Sequence, residues 1–342
     1  MPRELEINGI CLHAIATKCY SHCRYCQLSE RRAVPASFDR YEALVNRFLD
    51  WRDADFSRSD FGIWPWYGRS YDSNATVREG IVRISRRMGS DHKVVLLGGI
   101  RHRSMPEMRE WLEAHRKLGI DTLVTTFAGN EEAHDYWNKR RGSYRFFVDS
   151  MKLATDMGMK LQQRVFLIRS TLETLDELYD DLDAVSTGDF SRWCIQWFYS
   201  GYSKRYENER LTSADFAALP RRIRATLRED HQNWLSEREW RAIVMDASSD
   251  EPESMSISFP MNDESMDWAE NLSCDEILRE LGALWREAYR KAPSRRDLCE
   301  KYADPDSEKI YMNIGQAERL WMDRYLAENP CDFDIAHTHF GN

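Results

Sequence analysis

The 342-residue chain lacks a run of about 18 apolar residues, so no membrane span is predicted. Its first residues, Met1 to Glu6, carry neither the basic nor the apolar block of a signal peptide. The eight cysteines do not follow the regular spacing of a disulfide framework. We therefore expect a cytoplasmic protein, in a reducing compartment where thiols remain available to metal ions.

The chain also lacks an excess of positive charge. Its 57 Asp and Glu residues outnumber 48 Lys and Arg residues, which gives a net charge of -9. A general nucleic-acid surface draws on a positive face, so no nucleic-acid partner is expected. Apolar residues make up 42% of the chain, with 12 tryptophans, which is enough for a large buried core in one large domain or two smaller ones.

Three cysteines lie within eight residues, at Cys19, Cys23 and Cys26. A loop with these gaps can turn three sulfurs toward one centre, whereas disulfides between such close cysteines are strained. A zinc site usually takes four ligands in two close pairs, and His22 is awkwardly placed to be the fourth. The pattern therefore favours a 4Fe-4S cluster, with one iron left open, over a zinc site or three unrelated thiols.

The C-x-x-x-C-x-x-C spacing after a short apolar strand resembles the signature of the radical S-adenosylmethionine (SAM) superfamily. The resemblance implies that the open iron chelates the amino and carboxylate groups of SAM. It also implies reductive cleavage of SAM to methionine and a 5′-deoxyadenosyl radical, which abstracts a hydrogen atom from the substrate. The backbone of Tyr25, just before the third cysteine, is then expected beside the adenine.

Short apolar runs alternate with amphipathic segments through the first 205 residues, as expected for strand-helix units with a parallel sheet. The strands are predicted at 9–16, 61–66, 94–97, 122–127, 161–168 and 193–198. About six such units predict a partial (β/α)6 TIM-like barrel, with ligands at the carboxyl ends of its strands. The superfamily resemblance implies the same fold. Residues 206–342 are predicted to form a mainly helical C-terminal extension that caps the barrel and binds the substrate.

The superfamily resemblance supplies candidate SAM contacts. Relatives commonly have a Gly-Gly-Glu-like turn after the second strand, and Gly68 lies at the aligned position, although Tyr67-Gly68-Arg69 departs from that motif. The segment 125–144 is similar to the stretch of the family whose strand-end hydroxyl and following arginine meet the SAM ribose or carboxylate. The resemblance gives these roles to Thr126 and Arg141. A hydroxyl can pair with a ribose, and a guanidinium can bind a carboxylate through two hydrogen bonds.

Four further candidates come from the last two strands. Successive side chains of a strand alternate in direction, so only one of Gln163 and Arg164 faces the interior, and Gln163 is the predicted one. Arg169 is expected to reach SAM or an acidic substrate. Cys194 and Tyr199 lie on opposite faces of the sixth strand, and each is a candidate hydrogen donor to a product radical.

The sequence thus predicts a radical SAM enzyme with one 4Fe-4S cluster that acts on a natural-product precursor, either a ribosomal peptide or a sugar- or nucleoside-containing small molecule. An external electron donor of flavodoxin or ferredoxin type is expected. A non-enzymatic iron-sulfur redox sensor is the alternative class, and a tRNA-modifying radical SAM enzyme is disfavoured by the acidic charge balance. Cys274, Cys299 and Cys331 are widely spaced, so no second cluster is expected.

Overall fold

The computed structural model describes residues 5–28, 33–68, 70–247 and 254–330. The strands are β1 Glu6–Ala14, β2 Gly62–Tyr67, β3 Val94–Leu96, β4 Thr122–Phe127, β5 Lys160–Phe166, β6 Phe190–Ile195, β7 Leu235–Ser236, β8 Ser254–Pro260 and β9 Ile310–Tyr311. The helices are α1 Phe38–Asp53, α2 Ala75–Arg87, α3 Met105–Arg116, α4 Glu131–Asn138, α5 Ser143–Asp156, α6 Leu175–Val185, α7 Ser213–Ala217, α8 Arg221–Arg224, α9 Glu237–Asp246, α10 Asp263–Glu270, α11 Cys274–Lys291, α12 Arg295–Tyr302 and α13 Ile314–Glu328.

The strands β1 to β6 form the predicted α/β fold with parallel pairing throughout. These six strands fall into two sheets. The first has the order β2-β1-β8, which includes one later strand, and the second has the order β3-β4-β5-β6. Within the described residues, no ladder joins β2 to β3, so a seam separates the two sheets on this side. The predicted class, a partial barrel of six strand-helix units with a mainly helical C-terminal region, is confirmed.

The strand β8 comes from the C-terminal region and pairs with β1 in parallel. The predicted mainly helical region 206–342 thus contributes a seven-residue strand to the edge of the first sheet. Its Ile257 and Phe259 are buried in the same core as Ile10 and Leu12 of β1. Residues on both sides of position 205 therefore build this sheet, and the division into two domains there stays a prediction.

The helices that cover the sheets follow the apolar periodicity of the sequence. In α1 the apolar residues that recur every three or four positions are buried: Tyr41, Leu44, Val45, Phe48 and Leu49. Burying such a stripe against the first sheet removes apolar surface from water, which is the main favourable contribution to packing a helix on a sheet. A second large core lies between the second sheet and α3, α5 and α6.

The charged segment 211–239 is not one continuous helix. It contains two short helices, α7 and α8, and then a 3-10 turn at Glu229–Asn233. Pro220 immediately precedes α8, and proline disfavours helical geometry at the residue before it. The charged residues of this segment are compatible with a helix, but Pro220 separates α7 from α8. No helix of the described residues has the length and apolarity needed to cross a bilayer.

A fully buried arginine, Arg210, joins the barrel to the C-terminal region. It donates from Nη2 to the carbonyl of Trp197 and from Nη1 to the carbonyl of Ile310, both at 3.3 Å, and from Nε to Glu207 at 3.2 Å. Its guanidinium also lies 4.6 Å from the ring centre of Tyr311. These contacts satisfy a charge that would otherwise be costly to bury.

Candidate functional site

A cavity of about 540 Å³ lies at the carboxyl ends of the parallel strands. This is the location at which barrels of strand-helix units collect their ligands. Six of the predicted site residues line it: Cys19, Cys23, Cys26, Tyr25, Gly68 and Thr126. The structure therefore brings the cysteine loop after β1 together with the ends of β2 and β4.

The backbone after β3 holds the first cysteine in place. The amide of Tyr20 donates to the carbonyl of Gly99 at 2.8 Å. Gly99 has a φ of +82°, and a Cβ added there would lie 2.8 Å from Cys19 Sγ and 3.2 Å from the Cβ of Ser70. Glycine is the residue that permits both this backbone conformation and this close approach of the thiol. Gly98 and Gly99 follow β3 directly, and both line the cavity.

We expect Gly99→Ala to lower both stability and iron loading. The left-handed conformation should cost about 1–2 kcal/mol, and the new methyl group should displace the thiol of Cys19. Iron per chain after anaerobic reconstitution and the free energy of unfolding are the measurements. Gly98→Ala is the matched control, because a Cβ at Gly98 meets nothing within 4 Å. Equal iron contents in the two variants would show that contact with Gly99 does not shape the cysteine loop.

The second cysteine is held by the carboxyl end of α4. The Sγ of Cys23 donates to Oδ1 of Asn138 at 3.1 Å, and the amide of Arg24 donates to the carbonyl of Trp137 at 2.7 Å. Burial and the nearby thiols of Cys26 and Cys19 raise the pKa of Cys23 to about 12. The mutual effect indicates that the three sulfurs lie within electrostatic reach of one another.

Asn138 is the centre of a polar network behind the cysteine loop. Its Oδ1 also accepts a hydrogen bond from the hydroxyl of Tyr25, and its Nδ2 donates to His134 Nε2 at 2.5 Å. Burial lowers the pKa of His134 to about 3, so its imidazole is neutral. The ring of Tyr25 packs against Phe166 with 4.6 Å between the ring centres. These contacts therefore attach the second half of the cysteine loop to α4, through Asn138, and to β5, through Phe166.

The three thiols fit an iron-sulfur cluster by the chemistry of the donor set. They line one end of a single cavity, and Gly99 leaves space beside Cys19. In the ranges that the structure describes, no three His, Cys, Asp or Glu side chains already stand at metal-binding distances.

The structure corrects the placement of Arg141, whose side chain is exposed and does not line the cavity. Its neighbour Arg140 does not line the cavity either, but it is half-buried and donates to the carbonyl of Ile100 at 2.6 Å. Burial lowers the pKa of Arg140, and the thiols of Cys19 and Cys23 oppose that effect, so its guanidinium lies near them. Lys139 ends α4 in a left-handed conformation, and this turn decides which arginine faces the loop.

The structure also corrects the predicted orientation of β5. Gln163 faces the helices, where its Nε2 donates to Ser186 at 2.7 Å and its Oε1 accepts from Arg192 at 2.7 Å. Arg164, on the opposite face of the strand, lines the cavity. Arg169 lies on the surface and forms an ion pair with Asp215 at 3.2 Å. Neither Gln163 nor Arg169 reaches the cavity.

The two candidate hydrogen donors lie outside the cavity as well. Cys194 is buried among the helices, with its Sγ 3.0 Å from the hydroxyl of Tyr179. Tyr199 donates its hydroxyl to Asp323 at 2.9 Å in the C-terminal core. Cys194 lies on the face of β6 opposite to Ile195, which lines the cavity, and Tyr199 lies beyond the end of β6, so neither side chain lines the cavity.

An aromatic wall that the sequence did not single out lines the same cavity. It consists of Trp66 and Tyr67 from β2, Phe166 from β5, and Trp197 and Phe198 after β6. The only sequence signal was the clustering of aromatic residues at the ends of three predicted strands. Such rings supply a large, rigid contact area for the apolar part of a ligand.

Neither a family model nor a curated protein matches the chain. Solved structures do resemble it. SuiB of Streptococcus suis bound to its precursor peptide SuiA is 13% identical with a TM-score of 0.46, over 75% of this chain and 58% of SuiB. The match thus spans less than two thirds of the length of SuiB.

Two further similar structures are matched over most of their length. Native anSMEcpe with bound AdoMet is 12% identical with a TM-score of 0.49, over 94% of this chain and 97% of the other. Coproporphyrinogen III oxidase (HemN) of Escherichia coli, described as a radical SAM enzyme, is 10% identical with a TM-score of 0.38, over 99% of this chain and 91% of HemN. The chain is similar to a radical SAM enzyme of known structure.

Proposed function

We propose that the protein is a radical SAM enzyme that holds one 4Fe-4S cluster on Cys19, Cys23 and Cys26. The observation that carries this proposal is the position of these three thiols, which line one end of the cavity at the carboxyl ends of the parallel strands. Three thiolates leave one iron of a cube open for another ligand. A cluster bound there supplies the electron that cleaves SAM to methionine and a 5′-deoxyadenosyl radical.

The residues of the chain position SAM around that open iron. Thr126 lines the cavity and offers a hydroxyl to the ribose. Gly68 places its backbone beside the cysteine loop, and its amide donates to the carbonyl of Ala14 at 2.7 Å. Gly68 has a φ of +94°, and a Cβ there would lie 2.6 Å from Thr17 Oγ1. The turn therefore depends on glycine and keeps the backbone close to the ligand. Arg140, whose guanidinium lies within electrostatic reach of Cys19 and Cys23, takes the carboxylate-binding role that the sequence gave to Arg141.

The substrate is a natural-product precursor, a ribosomal peptide or a sugar- or nucleoside-containing small molecule, that loses a hydrogen atom to the radical. The aromatic wall supports this class because it can stack on a nucleobase or an aromatic side chain. The same enclosed surroundings keep a reactive radical away from water. A flavodoxin- or ferredoxin-type protein provides the electron.

The direct test is SAM cleavage by protein that has been reconstituted anaerobically with iron and sulfide. With dithionite as reductant, we expect tight SAM binding and formation of methionine and 5′-deoxyadenosine in equal amounts. A protein that loads iron but neither binds nor cleaves SAM would be a redox sensor, and the proposal would be wrong. Retention of tRNA on a filter with a steep salt dependence would favour the tRNA-modifying alternative.

A further inference from the structure

A second region of the cavity is basic and has no role in the proposed handling of the cluster. We call it the basic lobe, and its residues are Tyr71, Arg78, His92, His115 and Arg164. His92 precedes β3, whereas the cysteine loop follows β1, so the lobe reaches toward the opposite end of the strands. It lies at the seam between the two sheets, where α2 and α3 contribute Arg78 and His115.

The charge of the lining sets this cavity apart from the rest of the protein. None of the described residues that line it is Asp or Glu, although the chain has 57 of them and a net charge of -9. Arg78 and Arg164 both line it, and within the described residues neither takes part in an ion pair. Asp72 and Glu79 lie within electrostatic reach of Arg78, but no carboxylate of the described residues lines the cavity, so two guanidinium groups facing it favour a negatively charged ligand.

Both guanidinium groups also have an unused donor. The Nε atoms of Arg78 and Arg164 are buried and have no hydrogen-bond partner. The remaining contacts are few, since Arg78 Nη1 donates to the carbonyl of Ser73 at 2.5 Å and Arg164 Nη2 to Gln162 at 3.0 Å. Leaving a buried charged donor unsatisfied is costly, so a ligand that accepts from it gains affinity.

His115 is fully buried and adds an acceptor to these donors. Its Nδ1 lies 2.7 Å from the carbonyl of Trp111, and a carbonyl can only accept, so Nδ1 carries the hydrogen. Burial lowers the pKa of His115 to about 4, which keeps the ring neutral. The lone pair on Nε2 therefore has no partner and remains available to a ligand hydroxyl or N–H group.

The aromatic ring of Tyr71 lines the cavity together with both arginines. It stacks on His92 with 6.0 Å between the ring centres, and it lies within electrostatic reach of Arg164. His115 is in turn within electrostatic reach of both His92 and Arg78. All five residues line the same cavity.

We propose that the basic lobe binds a carboxylate or phosphate group of the substrate, with an adjacent hydroxyl or N–H group donating to His115. This inference rests on the proposed function only in taking the ligand to be the substrate. The guanidinium groups of Arg78 and Arg164 bind the oxyanion, and the aromatic wall contacts the apolar body that joins it to the reacting carbon. The lobe thereby selects acidic substrates and orients them toward the cysteine loop.

Three small probes of similar size test the charge requirement: phenyl phosphate, phenylacetate and phenylacetamide. Their dissociation constants are measured by calorimetry on reconstituted protein with SAM bound. We expect at least one of the two anions to bind tenfold or more tightly than the neutral amide, and the preferred anion identifies the oxyanion as phosphate or carboxylate. Equal affinity for all three probes would overturn the proposal.

Arg78→Gln is expected to weaken binding of the preferred anion at least tenfold and to leave the amide unchanged. Arg83→Gln is the matched control on the same helix, because Arg83 is exposed and pairs with Glu42 on the surface. Anion affinity that is equal in Arg78→Gln, the control and the wild type would also overturn the proposal. Iron content and 5′-deoxyadenosine formation are measured separately, so a failure of the proposed enzyme activity is distinguished from a failure of the lobe.

Arg164→Gln tests the other end of the lobe. Arg164 lies on β5 directly beside Thr126 of β4. It should weaken anion binding at least tenfold while the SAM dissociation constant stays within twofold of the wild type. Weaker SAM binding with unchanged anion affinity would assign Arg164 to SAM and contradict its place in the lobe.

Discussion

Replacing Cys19, Cys23 and Cys26 together with Ala should abolish iron binding and the formation of 5′-deoxyadenosine. The three thiols are the cysteines of the described residues that line the cavity, so their loss removes every sulfur ligand from it. Iron should fall from about four atoms per chain, the content of one cube, to near zero. The roughly 400 nm absorbance of thiolate-bound iron should disappear with it.

The matched controls are Cys274→Ser and Cys299→Ser, because both thiols are buried in cores away from the cavity. These variants should keep about four irons per chain. Cys331 lies outside the described residues, and its replacement is tested in the same way. A wild-type content of about eight irons, falling to about four when these cysteines are replaced, would reveal a second cluster.

Arg210→Met should lower the free energy of unfolding by about 3–5 kcal/mol, the range for breaking a buried charged contact. The methionine keeps much of the apolar stem but loses the donors that reach the carbonyls of Trp197 and Ile310. The carboxylate of Glu207 also loses its partner. Denaturant unfolding followed by circular dichroism measures the change.

Arg222→Met is the control for this prediction. Arg222 also binds two carboxylates, those of Asp180 and Asp183, but its side chain is 39% exposed. Surface ion pairs of this kind contribute little, so the loss should stay within about 1 kcal/mol. Equal losses in the two variants would show that burial does not strengthen the contacts of Arg210.

The succession of the first six strands along the chain and the location of the cysteine loop could be predicted because both depend on local patterns. Apolar runs alternate with amphipathic helices, and the three thiols immediately follow the first run. The apolar stripe of α1 was likewise visible from its spacing. These features need no knowledge of which distant segments meet.

The orientation of single residues could not be predicted, since it depends on a shift of one position. Gln163 and Arg164 are adjacent on β5, and only the packing of the strand decides which faces the cavity. Arg140 and Arg141 are separated in the same way by the turn at Lys139. The role of Asn138 depends on contact with Cys23, 115 residues earlier in the chain.

The pairing of β1 with β8 has a consequence for how the protein is made. His13 and Ser258 form a hydrogen bond across this pair although they are 245 residues apart. At translation rates of 5–20 residues per second, β1 is synthesised roughly 12–50 s before β8. The first sheet, from which the cysteine loop leaves, can therefore be completed only after residues 254–260 have emerged from the ribosome.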